Sequence, residues 1–404
     1  MHLPSQRVSK EMRSEEASLW FVPANGGEEL ALLIKAPSAS IKALVAGCAL
    51  RLAFGMHGGN LSLTARIFDI PDSPLMISKA QRVAEEHQAL YRALRERRLP
   101  VFLFSEMDVC LAWTNMELEE GDAARVIEFL GAPANLYSGE RTQDATYVTD
   151  CLCYSLGCTD AYPDAKAIPF VDIPVSLEAW RSSKVSFIGH KEYHTIEISD
   201  RDEGAVLERA VWASLESVFP HALYKSPEVQ IGEKLRELTD VLTIYEHGNF
   251  LFEAKDLSII GSGFERTQER RDKGVRKQVQ KAITQLIGAS KAIRRGEKVF
   301  DAKGGELTLN REKPSHCIVL ITEMMPTGDW GEVEAAVIDA AKETGDFFHV
   351  FDLREFINLL KGSSGNARLF DYNLMERFKA FTECGSVHLR IQFRHRPEGQ
   401  GQQG

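Results

Sequence analysis

The sequence of 404 residues predicts an α/β fold class, α+β overall, divided into two domains. Short apolar runs that are typical of strands alternate with longer segments whose apolar residues recur every three or four positions, as in amphipathic helices. A stretch with three prolines at 159–176 interrupts this pattern and predicts a domain junction. Beyond residue 316 a strand–helix–strand order with continuous apolar strands indicates parallel strands in one sheet.

Residues 1–17 are polar and predict a flexible leader, and residues 18–175 predict an α+β domain without a catalytic motif. The predicted strands of this domain lie at 30–34, 41–54, 61–69, 74–78, 100–105 and 109–114, and its helices at 79–98 and 121–131. The sequence His57-Gly58-Gly59-Asn60 lacks the lysine and hydroxyl residue of a phosphate-binding loop, so it predicts a turn.

Three cysteines near the junction leave two interpretations open. Cys151, Cys153 and Cys158, together with His190 and His194, are potential zinc ligands. The alternative, which we favour, places Cys151 and Cys153 on the buried face of a strand, because a second CxxC pair is missing and small thiols pack well in cores.

Composition excludes several classes of protein. Hydrophobic residues make up 44% and charged residues 26% of the chain, which is ordinary for a globular protein. The net charge of −10 argues against a chain that coats nucleic acid over its whole surface. The sequence has neither an apolar run of the roughly 18–20 residues that span a membrane nor an apolar signal core, and its seven cysteines are an odd number. We therefore expect a cytoplasmic protein with reduced thiols and no membrane partner.

The second domain is predicted to cover 176–395, followed by a disordered tail at 396–404. A strand at 192–198 precedes a helix at 202–219 in which Glu208 flanks the apolar stripe, either as a solvated residue or as a carboxylate near a site.

The stretch from 238 to 255 predicts a β-hairpin with Gly248 and Asn249 in its turn. Pairing of Tyr245 with Phe250 would place Asp240 opposite Lys255. Side chains alternate along a strand, so Asp240, Glu253 and Lys255 are expected on one face, at one end of the hairpin. Buried charges must be paired or bind a metal, and two carboxylates suit Mg²⁺ or Mn²⁺.

The spacing Asp240…Glu253-Ala254-Lys255 resembles the active site of the PD-(D/E)xK nuclease superfamily, with Thr239 where the family name has proline. The resemblance covers about 195–360 and implies a restriction-endonuclease-like mixed sheet flanked by helices. It implies metal binding by Asp240, Glu253 and the carbonyl of Ala254, and a catalytic role for Lys255.

Two helices extend this resemblance. The pattern Gly204…Glu208-Arg209-Ala210-Val211 resembles the first helix of such enzymes and implies that Glu208 binds metal directly or through water. Gln285, with Gln278 in reserve, resembles the glutamine that related nucleases carry near the catalytic lysine; an ordinary surface glutamine is the alternative.

The segment from 265 to 298 carries eleven Lys/Arg against four Asp/Glu, a net of +7 within an acidic chain. Its basic residues form either a solvated helix face or a surface for nucleic-acid phosphates, which is the interpretation we favour. The candidate contacts are Arg270, Arg271, Lys273, Arg276, Lys277 and Lys281.

Together these features predict a Mg²⁺- or Mn²⁺-dependent endonuclease that cleaves DNA, with RNA not excluded. Family analogy suggests bacterial restriction or anti-phage defence, and cleavage of both strands favours a dimer or higher homo-oligomer. The alternative is an inactive nuclease fold that binds nucleic acid or regulates a partner.

Overall fold

A computed structural model describes residues 4–158, 162–189, 193–256, 267–324 and 328–390. Its helices and mixed sheets belong to the α/β class that the sequence predicts. Among the described residues, no helix is both long and apolar enough to cross a membrane. His190 and the tail at 396–404 lie outside the described residues.

The chain forms two compact units. The first unit comprises 1–187, 193–206 and 257–271, and the second comprises 188–192, 207–256 and 272–404. The first unit thus extends past the junction predicted at 159–176, because strands at 176–182 pair with the sheet of that unit.

Among its described residues, the first unit contains two main sheets, a further two-stranded sheet and five complete α-helices. Its helices are α1 (Gln6–Ser14), α2 (Ser38–Val45), α3 (Ala84–Glu96), α4 (Glu120–Leu130) and α5 (Gln143–Ser155). Its first strands are β1 (Ser18–Ala24), β2 (Glu29–Lys35), β3 (Leu50–His57), β4 (Asn60–Ile67), β5 (Leu75–Gln81), β6 (Arg98–Phe104) and β7 (Cys110–Glu117). Its later strands are β8 (Phe170–Pro174), β9 (Ser176–Leu177), β10 (Arg181–Ser182) and β12 (Tyr193–Glu197), which forms a two-stranded sheet with β11 (Lys184–Ile188).

The first main sheet has the strand order β1-β2-β6-β7-β10, and β9 also pairs with β7. The second main sheet is antiparallel, with the order β5-β4-β3-β8. The turn between β3 and β4 confirms the interpretation of the glycine cluster, because His57 pairs with Asn60. Gly58 and Gly59 both have positive φ there, as a two-residue hairpin turn requires.

Three sequence expectations for this unit were wrong. The leader contains α1, whose Val8 and Met12 are buried against Trp20 and neighbouring strand residues. Residues 41–54 divide into the end of α2 and the start of β3 instead of forming one strand. Cys151 and Cys153 lie on helix α5, where Val148 and Leu152 are buried, so the apolar residues there follow a helical period.

The second unit is built around a five-stranded mixed sheet of order β13-β16-β17-β19-β20. The strands of the unit are β13 (Leu223–Lys225), β14 (Glu228–Ile231), β15 (Lys234–Glu237), β16 (Val241–Tyr245), β17 (Gly248–Lys255), β18 (Val299–Phe300), β19 (His316–Ile321) and β20 (Phe347–Asp352). Its helices are α8 (Gly331–Thr344), α9 (Leu353–Ser363) and α10 (Ala367–Cys384), together with most of α6 (Glu203–Leu215) and α7 (Gln268–Arg294), which begin in the first unit.

In this sheet, β16 is antiparallel to β17 and β13, whereas β17, β19 and β20 run parallel, as the apolar strand–helix–strand order predicted. Phe250 and Phe252 of β17 contact Phe370 of α10 and Phe356 of α9 respectively. Their neighbours Leu251 and Glu253 point to the opposite face, because side chains alternate along a strand. Residues 386–390, which follow the last helix, do not form a strand.

The hairpin of β16 and β17 has a register two residues away from the expected one. Tyr245 pairs with Gly248, and the turn consists of Glu246 and His247. Gly248 belongs to the strand, and a glycine is needed at this position because a Cβ would lie 2.5 Å from the carbonyl oxygen of Pro314. A shift of two residues preserves the face of every side chain, so the predicted face of Glu253 is retained.

The long helix α7 is anchored to the start of β20 by the buried carboxylate of Asp346. This carboxylate accepts hydrogen bonds from the hydroxyl of Ser290, from the guanidinium of Arg294 at 2.7 Å and from the backbone N–H of Ser315 at 2.9 Å. One side chain therefore connects α7 with the segments that precede β19 and β20.

Asp346→Ala should lower the free energy of unfolding by about 2–4 kcal/mol, because two buried donors, the Ser290 hydroxyl and the Ser315 backbone N–H, lose their acceptor and Arg294 loses its ion pair. Urea denaturation of the full chain measures this loss. Glu343→Ala is the matched control, since Glu343 pairs with Lys291 of α7 at an exposed position and should change stability by no more than about 0.5 kcal/mol. Equal effects of the two substitutions would contradict the anchoring role.

Candidate active site

The site lies where β16 begins and β17 ends. Extending the hairpin register by one residue places Asp240 directly opposite Glu253. The hydroxyl of Thr239 donates to the carbonyl oxygen of Phe252 at 2.6 Å, and the backbone N–H of Ala254 donates to Oδ2 of Asp240 at 2.7 Å. Both bonds join the segment before β16 to β17, so the backbone holds the Asp240 carboxylate in place. Thr239 thus has a structural role of its own.

The ammonium of Lys255 lies beside both carboxylates. Its Nζ is 2.6 Å from Oε2 of Glu253 and 3.6 Å from Oδ2 of Asp240. The Glu253 side chain is 3% exposed and that of Lys255 is 17% exposed, so the cluster is largely shielded from water. The structure therefore brings together the three residues that the sequence singled out, on one face and at one end of the hairpin.

Burial gives Glu253 unusual proton affinity. Removal from water, followed by the negative charge of Asp240, raises the pKa of the Glu253 carboxyl from 4.5 to about 7, although Lys255 opposes this. For Lys255, burial acts to lower the pKa, but the charges of Glu253 and Asp240 outweigh it and raise the pKa. Near neutral pH, the three side chains together therefore carry a net charge of −1 when Glu253 is ionised and no net charge when Glu253 is protonated.

Glu208 of α6 belongs to the same electrostatic environment. Its carboxyl is half-buried, and burial followed by the charge of Asp240 raises its pKa, with Lys225 and Lys255 acting in the opposite direction. This coupling to Asp240 and Lys255 favours the carboxylate near a site over the solvated helix residue.

A cleft of about 340 Å³ adjoins the carboxylates. Asp240 and Glu253 form part of one wall, and Gln285 of α7 lines the cleft with them. Gln285 is exposed, so its amide is available to a ligand. Lys255 and Glu208 do not line this cleft. Ala254, the residue after Glu253, is half-buried.

The six basic candidates on α7 have different surroundings. Lys273, Lys277, Lys281 and Arg270 are exposed and suited to contact phosphates. Two others are less suited. Arg271 is buried, and Arg276 pairs with Asp272 at 3.0 Å while it donates to the carbonyl oxygen of Asp329.

Sequence reasoning missed several residues of the cleft. Arg236 and Glu237 reach it from β15, and Lys291 and Arg295 reach it from α7 and the turn that follows. The strands β14 and β15 form a short hairpin around Gly232, which has positive φ. That glycine between two short alternating runs was the available signal for this second hairpin.

Chemically, the arrangement favours a divalent cation. Asp240 and Glu253 are hard oxygen ligands of the kind that Mg²⁺ and Mn²⁺ take. The Lys255 ammonium lies close to both carboxylates, so a positive charge is favourable at this position. The residues present therefore fit such an ion.

Comparisons with protein-family models, with curated proteins and with solved structures found no match for this chain. The assignment of a function consequently rests on the geometry and chemistry of the site itself.

Glu253→Gln should stabilise the metal-free protein by about 1–3 kcal/mol at about pH 8 and much less at about pH 5. The folded state holds the Glu253 proton up to a pKa of about 7, against 4.5 ordinarily, so wild-type stability falls as pH rises between these values. Urea denaturation at both pH values in the presence of a chelator measures the difference.

Glu237→Gln is the control for this experiment, because it removes an exposed carboxylate from the same cleft. It should not reproduce the pH-dependent gain. A gain of the same size at both pH values for Glu253→Gln would show that the carboxyl of Glu253 is not desolvated as described.

Proposed function

We propose that this protein is a metal-dependent nuclease that hydrolyses phosphodiester bonds, with DNA as its substrate. The observation that supports this best is the convergence of Asp240, Glu253 and Lys255 in a water-shielded cluster beside an open cleft. This convergence agrees with the resemblance to PD-(D/E)xK nucleases and with the restriction-endonuclease-like arrangement that the resemblance implies for the second unit.

Asp240 and Glu253 would hold Mg²⁺ or Mn²⁺, with the carbonyl of Ala254 as a further ligand and Glu208 as a direct or water-mediated one. When bound, such an ion lowers the pKa of a coordinated water and neutralises charge on the scissile phosphate. Binding of the ion requires Glu253 to lose its proton, and the raised pKa of that carboxyl makes metal affinity increase with pH up to about 7.

Lys255 would orient the attacking water and stabilise developing negative charge, which its fixed position beside both carboxylates allows. Gln285 would orient the phosphate backbone from the facing helix. The exposed lysines of α7 would attract the DNA.

Asp240→Asn, Glu253→Gln and Lys255→Ala should each lower the rate of plasmid cleavage in Mn²⁺ by about 100-fold or more. Asp240→Asn should also abolish Mn²⁺ binding in isothermal titration calorimetry, because it removes a ligand charge.

Lys342→Ala removes an exposed lysine of α8 and is the matched control for Lys255→Ala. Full activity of Lys255→Ala, or cleavage that persists in EDTA, would exclude the proposed site. Mn²⁺ binding without any cleavage by wild type would favour the alternative of an inactive nuclease fold.

A triple substitution of Lys273, Lys277 and Lys281 by alanine should weaken DNA binding and reduce the slope of log Kd against log salt by about 2 to 3, since each lysine neutralises about one phosphate. Fluorescence anisotropy over a salt series measures the slope. Alanine at the exposed Lys303, Lys342 and Lys379 removes the same charge elsewhere and should leave the slope nearly unchanged. Equal slopes for the two triple variants would show that α7 does not bind the phosphates.

A further inference from the structure

The cleft beside the carboxylates has a shape that the nuclease chemistry does not require. One side is formed by the second hairpin, through Val229, Ile231 and Arg236, and the other by α7. Its volume of about 340 Å³ is at the small end of the range for pockets that enclose a single small ligand. A segment of paired duplex is too large for such a space, whereas one unstacked nucleotide is of a suitable size.

The helix wall of the cleft includes three small residues besides Gln285 and Lys291. Gly288, Ala289 and Ala292 line it, and a Cβ built on Gly288 would meet no atom within 4 Å. Because Ala292 lies four residues after Gly288 and three after Ala289, the three positions lie on one side of the helix and leave an open space in front of it. Larger side chains here would fill the cleft.

The remaining lining separates into an apolar and a cationic part. Val229, Ile231 and Leu238 form the apolar part, in which Ile231 is the exposed side chain that a planar base can contact. The cationic groups are Arg236, Lys291 and Arg295, of which Lys291 pairs with Glu343 and Arg295 lies 3.4 Å from Glu297. Within the described part of the chain Arg236 has no ion-pair partner, and it is exposed. A nucleotide combines the same two features, an apolar base and an anionic phosphate.

From this geometry we infer that the cleft receives an unpaired nucleotide of the substrate next to the scissile phosphate. The enzyme would then cleave at single-stranded tails, flaps or unpaired positions in preference to uninterrupted duplex. An unpaired base is already free of its partner, so it enters the cleft without the free-energy cost of disrupting a base pair. This inference rests on the proposed nuclease function, and it adds the class of DNA structure that the site selects.

Exposed basic residues on α7 lead towards this cleft. Lys277, Lys281 and Gly288 lie along nearly the same helix face, since eleven residues make about three turns. A strand whose phosphates follow these lysines would reach Gln285 and the cleft. A single strand can bend into the cleft there.

The test uses the 404-residue chain, Mn²⁺ and three fluorescently labelled DNA hairpins with the same loop, and only cleavage at the end opposite the loop is counted. The first is a blunt duplex, the second carries a single-stranded tail, and the third carries the same tail with abasic residues near the junction. We expect wild type to cleave the tailed hairpin about tenfold or more faster than the blunt one, as measured by kcat/KM. The abasic tail should lose most of this preference, because the cleft then has no base to hold.

Gly288→Leu fills the cleft without changing any charged residue. It replaces a helical glycine by a better helix former, so folding is not expected to suffer. This variant should bind Mn²⁺ as wild type does but lose the preference for the tailed hairpin. Gly274→Leu is the matched control on the same helix, because a Cβ at Gly274 also meets no atom within 4 Å and Gly274 does not line the cleft. It should keep the preference.

The outcomes separate the two proposals. Cleavage of blunt and tailed hairpins at equal rates, or an unchanged preference in Gly288→Leu, would overturn the cleft inference and leave the nuclease assignment in place. Equal loss of preference in Gly288→Leu and Gly274→Leu would also overturn it, because the effect would not come from the cleft. If wild type cleaves none of the hairpins and binds no Mn²⁺, the nuclease assignment itself fails.

Discussion

The second unit depends on one constraint: two carboxylates are held opposite each other in a place with little water. Glu253 is 2% exposed, and Asp240 is held against it by a backbone N–H of the neighbouring strand. Two such charges repel each other, and each loses hydration energy on burial. The ammonium of Lys255 compensates for this in part, and the rest appears as the raised pKa of Glu253. Neutralising one of the two carboxylates, by a proton or by a cation, therefore relieves this repulsion.

Placing two carboxylates opposite each other lowers the stability of the folded protein, and favourable packing elsewhere in the unit must compensate for this. The aromatic side chains on the other face of β17 pack against α9 and α10, and the Asp346 network connects α7 to the strands. A rigid sheet on one side and an anchored helix on the other fix the distance across the cleft. Desolvated charges concentrated at one place, with dense packing around them, are common at functional sites.

Much of this site was predictable because a β-strand alternates its side chains. Asp240, Glu253 and Lys255 lie on the same face of the hairpin in both the predicted and the observed register, because a shift of two residues keeps every side chain on its face. The register error comes from assigning Gly248 to the turn. A glycine is needed there for another reason, because a Cβ would clash with the carbonyl oxygen of Pro314. Pro314 lies 66 residues after Gly248, so the sequence of the hairpin itself contains no sign of this contact.

The sequence by itself determined the fold class, the hairpin, and which polar side chains share its face, because these follow from local periodicity and chemical type. Only the tertiary structure decided which residues form the opposite wall of the cleft. Arg236 and Gly288 lie 52 positions apart, and they line one cleft only because β15 and α7 fold to either side of it. The burial that raises the pKa of Glu253 is likewise a property of the packed unit, since it depends on which distant side chains exclude water.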